Sequence, residues 1–338
     1  MSDTNAPLRI LMSQQSVDRW GASVAAVMGR RTHELIPLEV AAAAHRTDAD
    51  VAFISREVTG TSTKHEIHPA LQQVYELLRQ SQSLRWVHIH SAGADRQIYL
   101  DLLAKGVQVT TSSGANAQVV ATVALAGILA LARRFPLLWA EQQTRQWIPM
   151  MGARMPRDLP GQTATIVGWG PIGQKLGGLL QALGMQVVAV RQQLAAQPSP
   201  ASGGVEMVTF ESWTQVLPKT DWLILACPLT AKTRQLVNAS VLAGLPRGAH
   251  LINVARGEVV DEPALVSALQ SGHLGGAFLD VFAHEPLPSN SPLWAMPQVM
   301  ITPHAAGHSD GNETRVGQIF LDNLRCWNEG APLRNSVN

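Results

Sequence analysis

The chain has only two cysteines, Cys227 and Cys326, among 338 residues. That scarcity excludes a disulfide framework and any paired-cysteine metal motif, and it fits a reducing, cytoplasmic setting. Charge of one sign is also lacking. The formal net charge is +1, and no cluster of Lys and Arg marks a footprint for nucleic acid or an anionic membrane. No apolar run reaches the length of a membrane span. The longest, VVATVALAGILALA from Val119 to Ala132, ends in Arg133-Arg134 and reads as a buried helix. The opening MSDTNAPLRILM has no basic stretch followed by a long apolar one, so no signal peptide is expected. Neither nucleic acid nor membrane is expected as a partner. At 46% hydrophobic and 15% charged, a chain of this length can bury the cores of two domains.

The first part alternates short apolar runs with helical patterns. LRILMS (8–13), VAFIS (51–55), LRWVHIH (84–90) and VQVTT (107–111) read as strands. HPALQQVYELLRQ (68–80) places Leu71, Val74, Tyr75 and Leu78 at helical spacing, and RQIYLDLLAKG ends a second helix at Gly106. A long apolar helix is expected over 116–134. The segment FPLLWAEQQTRQWIPMMGARMPRDLPG carries four prolines and no strand pattern, and reads as an arm or linker. The pattern then repeats in TATIV (163–167), VVAV (187–190), WLILA (222–226), HLINV (250–254), GGAFLDV (275–281) and VMITP (299–303). A closing helix spans about 311–327. Repeated βα units predict an α/β fold with two Rossmann-like domains, each a parallel sheet covered by helices. RQQLAAQPSPASGG (191–204) reads as an exposed loop.

TIVGWGPIGQKLGGLLQALG supplies a strand, the turn Gly168-x-Gly170-x-x-Gly173, and a helix. Gly168 suits the tight turn, Gly170 lets the backbone approach a pyrophosphate, and Gly173 brings helix and strand together. Pro171 costs no needed hydrogen bond at the helix start, and the helix N-terminus favours phosphate. The next strand ends on Arg191, where NAD-binding folds usually carry Asp or Glu. A guanidinium pairs with a 2′-phosphate instead, and Gln192 adds a neutral donor. No Asp or Glu occurs between Arg191 and Gly204 to take the other role. NADP(H) is the expected cofactor, with NAD(H) possible if Arg191 only stacks on adenine.

Three later strands end in titratable residues. INVARGEVVDEPAL carries Arg256, GGAFLDVFAHEPLP carries Asp280 and Glu285, and VMITPHAAGHSDG carries His304. Ligands of open α/β sheets bind at the carboxyl ends of the strands. The set suits reduction of a 2-keto acid: a histidine to give the proton, a carboxylate to orient it, an arginine to polarise the keto oxygen and hold the substrate carboxylate.

With these motifs in place, the chain resembles the D-isomer-specific 2-hydroxyacid dehydrogenase family. The resemblance is carried in order by HSAGAD (90–95), GWGPIG (168–173), CPLT (227–230), NVARGEVVDEPAL (253–265), DVFAHEPLP (280–288), PLW (292–294) and TPHAAG (302–307). It implies Arg256 as substrate anchor, Glu285 as partner and His304 as acid/base. It further implies substrate contacts from the backbone N–H groups around Ala92 and Gly93, with Trp294 a candidate at the pocket wall. For the cofactor it implies Pro171 and Ile172 in the glycine turn, Cys227, Pro228, Val254 and Ala255 along the cleft, Asp280 on the nicotinamide amide, and His304 and Gly307 beside it. The implied architecture is a cofactor domain (116–305) inserted into a discontinuous substrate domain (1–115 and 306–338), assembled as a homodimer through the arm around 136–160. Glyoxylate and hydroxypyruvate are the first substrates to expect. A dinucleotide-sensing corepressor and a phosphonate-oxidising enzyme are the alternatives. Val120-Ala121-Thr122 departs from the Glu-His that relatives often carry there.

Taken singly, Arg256, Glu285 and His304 would read as a surface residue, a turn residue and a core histidine; only their joint placement lifts them. His88 and His90 share a strand face, and His304 and His308 would share a helix face. With no third ligand at metal spacing, no metal is expected and His88 reads as packed inside the sheet. Arg56, following VAFIS, is a weaker candidate for the substrate mouth.

Overall fold

A computed structural model describes residues 6–192 and 204–337 of the chain. Among these, twelve strands form two wholly parallel sheets. The chain divides into two compact units. One takes the residues up to Asn116 and those from Ser309 on; the other is Ala117–His308.

The first unit holds β1 (Leu8–Met12), β2 (His33–Pro37), β3 (Val51–Ile54), β4 (Trp86–Ile89) and β5 (Gln108–Thr111), in the order β2-β1-β3-β4-β5. Alternate residues of each strand face opposite ways, and the two resulting cores are distinct. Leu11, Ala52, Ile54, Val87 and Ile89 pack with Leu71, Tyr75 and Leu78 of the helix Pro69–Gln80. Ile10, Met12, Phe53 and Trp86 pack with Val24 of the helix Gln14–Met28 and Phe320 of the helix Asn312–Glu329. Ser13 starts the helix Gln14–Met28 by accepting a hydrogen bond from the Ser16 N–H. His88 is buried in β4, between Thr110 Oγ1 (2.8 Å) and Ser112 Oγ (3.0 Å). Burial, and secondarily the nearby His90, push its pKa down to about 3.

The second unit holds β6 (Thr163–Val167), β7 (Gln186–Arg191), β8 (Glu206–Thr209), β9 (Trp222–Leu225), β10 (Ala249–Asn253), β11 (Leu274–Leu279) and β12 (Val299–Ile301). Their order is β12-β11-β10-β9-β6-β7-β8. Strand order reverses between β6 and β9, which opens a crevice at their carboxyl ends. The long helix Ala117–Ala132 lies on one face of this sheet, where Val120, Ala124 and Ile128 pack with Ile166, Ile224 and Phe278. Among the described residues no single helix is long and apolar enough to cross a membrane. The bent pair Ala117–Ala132 and Phe135–Gln143 passes by length and composition, but its first member is mostly buried in this core.

Three expectations need correction. The proline-rich segment after Arg134 contains the helix Phe135–Gln143, begun by a left-handed Arg134 and a proline in the first turn. His304 and His308 do not share a helix; both lie in the loop between β12 and the helix Asn312–Glu329. The strands β2 and β8 were not legible in the sequence pattern. The loop expected after Arg191 falls largely on residues 193–203, outside the described residues.

Candidate active site

The glycine turn sits at the strand reversal. Gly168 follows β6 with φ +105°, and a Cβ there would lie 2.6 Å from the Cys227 backbone nitrogen, so no larger residue fits. Gly173 packs its helix closer still, where a Cβ would lie 2.1 Å from the Gly168 carbonyl oxygen. A Cβ at Gly170, by contrast, would meet nothing within 4 Å. The open space there is what a pyrophosphate requires. Pro171 opens the helix Pro171–Ala182, with Ile172 half-buried behind it, and no side chain caps the first turn. The residues present therefore fit a dinucleotide phosphate. Arg191 closes β7, half-buried, with exposed Gln192 next; among the described residues Arg191 has no ion-pair partner. Cys227 is buried beside the turn, and burial pushes its thiol up to about 12; Pro228 next to it is exposed.

Arg256 follows β10 in a turn built by Asn253. The Asn253 side chain accepts from the Ala255 N–H (3.0 Å) and donates to the Arg256 carbonyl (3.1 Å). Val254 and Ala255 are buried. The Arg256 guanidinium donates to the Ala255 carbonyl at 2.7 Å. Gly257 comes next, and a Cβ there would fall 1.7 Å from the Phe282 carbonyl carbon. This close approach seats the turn carrying Arg256 directly on the turn carrying Glu285.

Glu285 is buried. One carboxylate oxygen accepts from the Phe282 N–H at 3.0 Å, and the other meets His304 Nδ1 at 2.7 Å. His304 is itself 48% exposed. Its Nε2 has no hydrogen-bond partner among the described residues, so the pair is anchored at Nδ1 and open at Nε2. His304 has φ +51°, a conformation that needs support outside glycine. Asp280 provides it. The Asp280 carbonyl accepts from the His304 N–H (2.8 Å), and its Oδ1 accepts from Thr302 Oγ1 (2.6 Å), Ala305 N–H (2.8 Å) and Ala306 N–H (3.1 Å). Its Oδ2 accepts only a shared bond from Ala306 N–H (3.1 Å). Gly307 follows in the same loop, half-buried.

Arg256, Asp280, Glu285 and His304 thus all stand at the carboxyl edge of one sheet, on turns bonded to one another. Trp294 does not join this hydrogen-bonded set. It is exposed, and its indole N–H donates to the Pro288 carbonyl at 3.0 Å. In the other unit, Ala92 and Gly93 follow β4, and Ser91 Oγ donates to the Gly93 carbonyl at 2.8 Å. Neither of their N–H groups has a partner among the described residues. Arg56 is half-buried after β3, where burial first and then the neighbouring Arg96 lower its pKa. Among the described residues no group of three His, Cys, Asp or Glu could hold a metal ion. Sequence reasoning missed Asn253, Gly257 and Thr302 as shapers of the site. All three lie inside the quoted motifs, but their roles are side-chain-to-backbone and close-packing contacts that spacing does not reveal.

Residues 125–306 match the family model for the D-isomer specific 2-hydroxyacid dehydrogenase, NAD binding domain. The chain belongs to the D-isomer specific 2-hydroxyacid dehydrogenase family. As a member it is an oxidoreductase of CH–OH donors that uses a nicotinamide dinucleotide. It is similar to the glyoxylate reductase of Korarchaeum cryptofilum, 32% identical over 78% of this chain and 79% of that protein. It is 37% identical to the (S)-sulfolactate dehydrogenase of Chromohalobacter salexigens, over 74% of this chain and 79% of that protein. Among solved structures, a family member from Xanthobacter autotrophicus Py2 in complex with NADPH and MES is 28% identical. That alignment covers 98% of each chain with a TM-score of 0.74.

Proposed function

We propose that this dehydrogenase reduces a small 2-keto acid of the glyoxylate or hydroxypyruvate type to the D-2-hydroxy acid, with NADPH preferred over NADH. The observation that carries the reaction is the Glu285–His304 pair, fixed at Nδ1 and open at Nε2. The likeness to a glyoxylate reductase supports the substrate class. Arg191 at the end of β7, with no acidic partner among the described residues, supports the cofactor preference.

When bound, the reduced nicotinamide supplies a hydride to the keto carbon. The chain's own residues manage the rest. His304 gives the proton on Nε2 to the oxygen that was the carbonyl, while Nδ1–H stays on Glu285, which holds the ring's orientation and balances its charge. Arg256 polarises the keto oxygen and pairs with the substrate carboxylate. Trp294, its N–H already committed, offers the substrate only an apolar face. Asp280 Oδ2 accepts a single bond at 3.1 Å, and its spare lone pairs are available to the nicotinamide amide. Pro171, Ile172, Cys227, Pro228, Val254, Ala255 and Gly307 line the dinucleotide's path, and Gln192 adds a donor beside Arg191.

In this reading Ala117–His308 is the cofactor domain and the remainder the substrate domain. The enzyme acts in the cytoplasm as a homodimer. The dimer is argued from one segment: Phe135, Trp139, Trp147, Ile148, Met151 and Met155 are all exposed within 21 residues, and Trp147 is 95% exposed. An apolar patch of that kind calls for a partner surface.

The test is kcat/KM for NADPH and NADH, each with glyoxylate and with hydroxypyruvate, in the wild type and in Arg191→Asp. A preference for NADPH that collapses in the variant supports the reading. Equal use of both cofactors by the wild type would remove Arg191 as the selector and leave the family chemistry intact.

A further inference from the structure

The seven-stranded sheet has a second edge that the dehydrogenase chemistry does not use. At the amino-terminal ends of β9–β12 lies a cavity of about 460 Å³. Three guanidiniums line it, those of Arg134, Arg157 and Arg247, against a single carboxylate, Asp221. Asp221 is already engaged. Its Oδ1 accepts from Arg157 at 2.7 Å and its Oδ2 from the Thr163 N–H at 2.9 Å. Arg247 makes one long bond, to the Ser271 carbonyl at 3.4 Å. The Arg134 guanidinium has no hydrogen-bond or ion-pair partner among the described residues. The cavity therefore carries an excess of two positive charges with donors to spare.

The same cavity includes an aromatic pair. The His250 ring stacks on Trp222, with centroids 4.3 Å apart and planes 14° from parallel. Neither ring nitrogen of His250 has a hydrogen-bond partner among the described residues. Burial and then the charge of Arg134 lower its pKa to about 4, with Asp221 opposing and Arg157 adding to the effect. At neutral pH it is thus an uncharged ring able to donate one hydrogen bond and accept one. Leu131, Pro136 and Pro297 complete an apolar wall.

We propose that this cavity is a binding site for a small dianion, a phosphate ester or a dicarboxylate. The anionic groups meet Arg134 and Arg247, and the carbon frame lies against Leu131, Pro136 and Pro297. Guanidinium forks match phosphate and carboxylate oxygens two bonds at a time, and a part-enclosed pocket strengthens such bonds. The site is separate from the dinucleotide cradle. Both sets of residues belong to one sheet, and a strand of five residues spans about 15 Å between its edges. The proposal does not depend on which keto acid is reduced.

The test is calorimetric titration of the assembled enzyme, saturated with NADP, using inorganic phosphate and citrate as probes and sodium chloride at matched ionic strength as control. Saturable binding of phosphate or citrate, absent with chloride, is expected, together with a rise in the thermal midpoint. Phosphate alone would point to phosphate esters, citrate alone to polycarboxylates. Arg134→Gln and Arg247→Gln should each weaken binding by about tenfold, Arg134→Lys less, and Arg256→Gln not at all. NADP titration confirms that each variant is folded. Absence of saturable binding in the wild type, or wild-type affinity in both Arg134→Gln and Arg247→Gln, would overturn the proposal. Loss on Arg256→Gln alone would assign the anion to the carboxyl edge instead and overturn it too.

Discussion

The two edges of the seven-stranded sheet are made by the same strands and differ in how they use charge. At the carboxyl edge the catalytic candidates are tied to neighbours. Glu285 holds His304, and Asp280 collects the Thr302 hydroxyl and the N–H groups of Ala305 and Ala306. At the amino edge, three arginines line a cavity with one carboxylate, which only Arg157 bonds, and a histidine stacks on a tryptophan with no hydrogen bond to its ring among the described residues. Fixed groups at one edge suit the proposed reaction, which needs a proton delivered at a set place. Unbalanced positive charge at the other suits the proposed anion binding. The contrast separates two kinds of polar residue that composition alone would count together.

The comparison can be broken most severely at Gly257. The Arg256 and Glu285 turns meet backbone to backbone there, so Gly257→Val must push them apart. A loss of about 3 kcal/mol or more in urea unfolding is expected, with activity lost in whatever remains folded. A fall below about 1 kcal/mol would mean that the turns are not tightly seated.

Next comes the orienting carboxylate. Glu285→Gln keeps shape and removes charge, and kcat should drop by about a hundredfold with NADPH affinity little changed. Arg247→Gln, at the opposite edge, should leave kcat within about twofold in the same assay. Equal losses in the two variants would erase the distinction between the edges.

Acid sharpens the comparison further. The pKa of His250 is lowered to about 4 and that of His88 to about 3, both chiefly by burial. Their unfolded value lies near 6.5, so the unfolded chain takes up protons first as pH falls. Stability from these rings is therefore complete above about pH 6.5 and is lost on descending toward pH 4 and 3. The slope is about 1.4 kcal/mol per pH unit for each ring. Urea midpoints measured from pH 7 to 4.5 should fall less steeply in His250→Gln than in the wild type. An unchanged slope would show that His250 does not remain neutral.

The smallest effect concerns the two thiols. Burial raises Cys227 to about 12, leaving about one thiolate in ten thousand at pH 8. Alkylation followed by mass spectrometry should label Cys326, which is half-buried, well before Cys227. Faster labelling of Cys227 would contradict its enclosure beside the glycine turn.

Much of this was legible in the sequence, and the exceptions have physical reasons. The central strands are continuous apolar runs because both faces are buried, and β6, β9 and β10 read directly from TATIV, WLILA and HLINV. The strands β2 and β8 bury a single side chain between them, Ile36, so HELIP and EMVT carry no such signal. The helix Phe135–Gln143 hid behind its proline and its single buried residue, Glu141. At the site, the motifs named Arg256, Asp280, Glu285 and His304, which stand together at the carboxyl edge. They did not reveal that Asn253 folds the Arg256 turn, or that Asp280 holds His304 in a left-handed conformation. The amino-edge cavity was not legible either. Its residues come from seven separated stretches of chain, and only folding brings Arg134, Arg157 and Arg247 to one place.

The most direct test of the central claim is steady-state turnover of a 2-keto-acid panel with NADPH, comparing the wild type with His304→Ala. The account predicts turnover of at least one small 2-keto acid and a loss of about a thousandfold in kcat in the variant, with NADPH still bound. Wild-type protein that binds NADPH but turns over none of the panel, or a variant that keeps most of its rate, would contradict it.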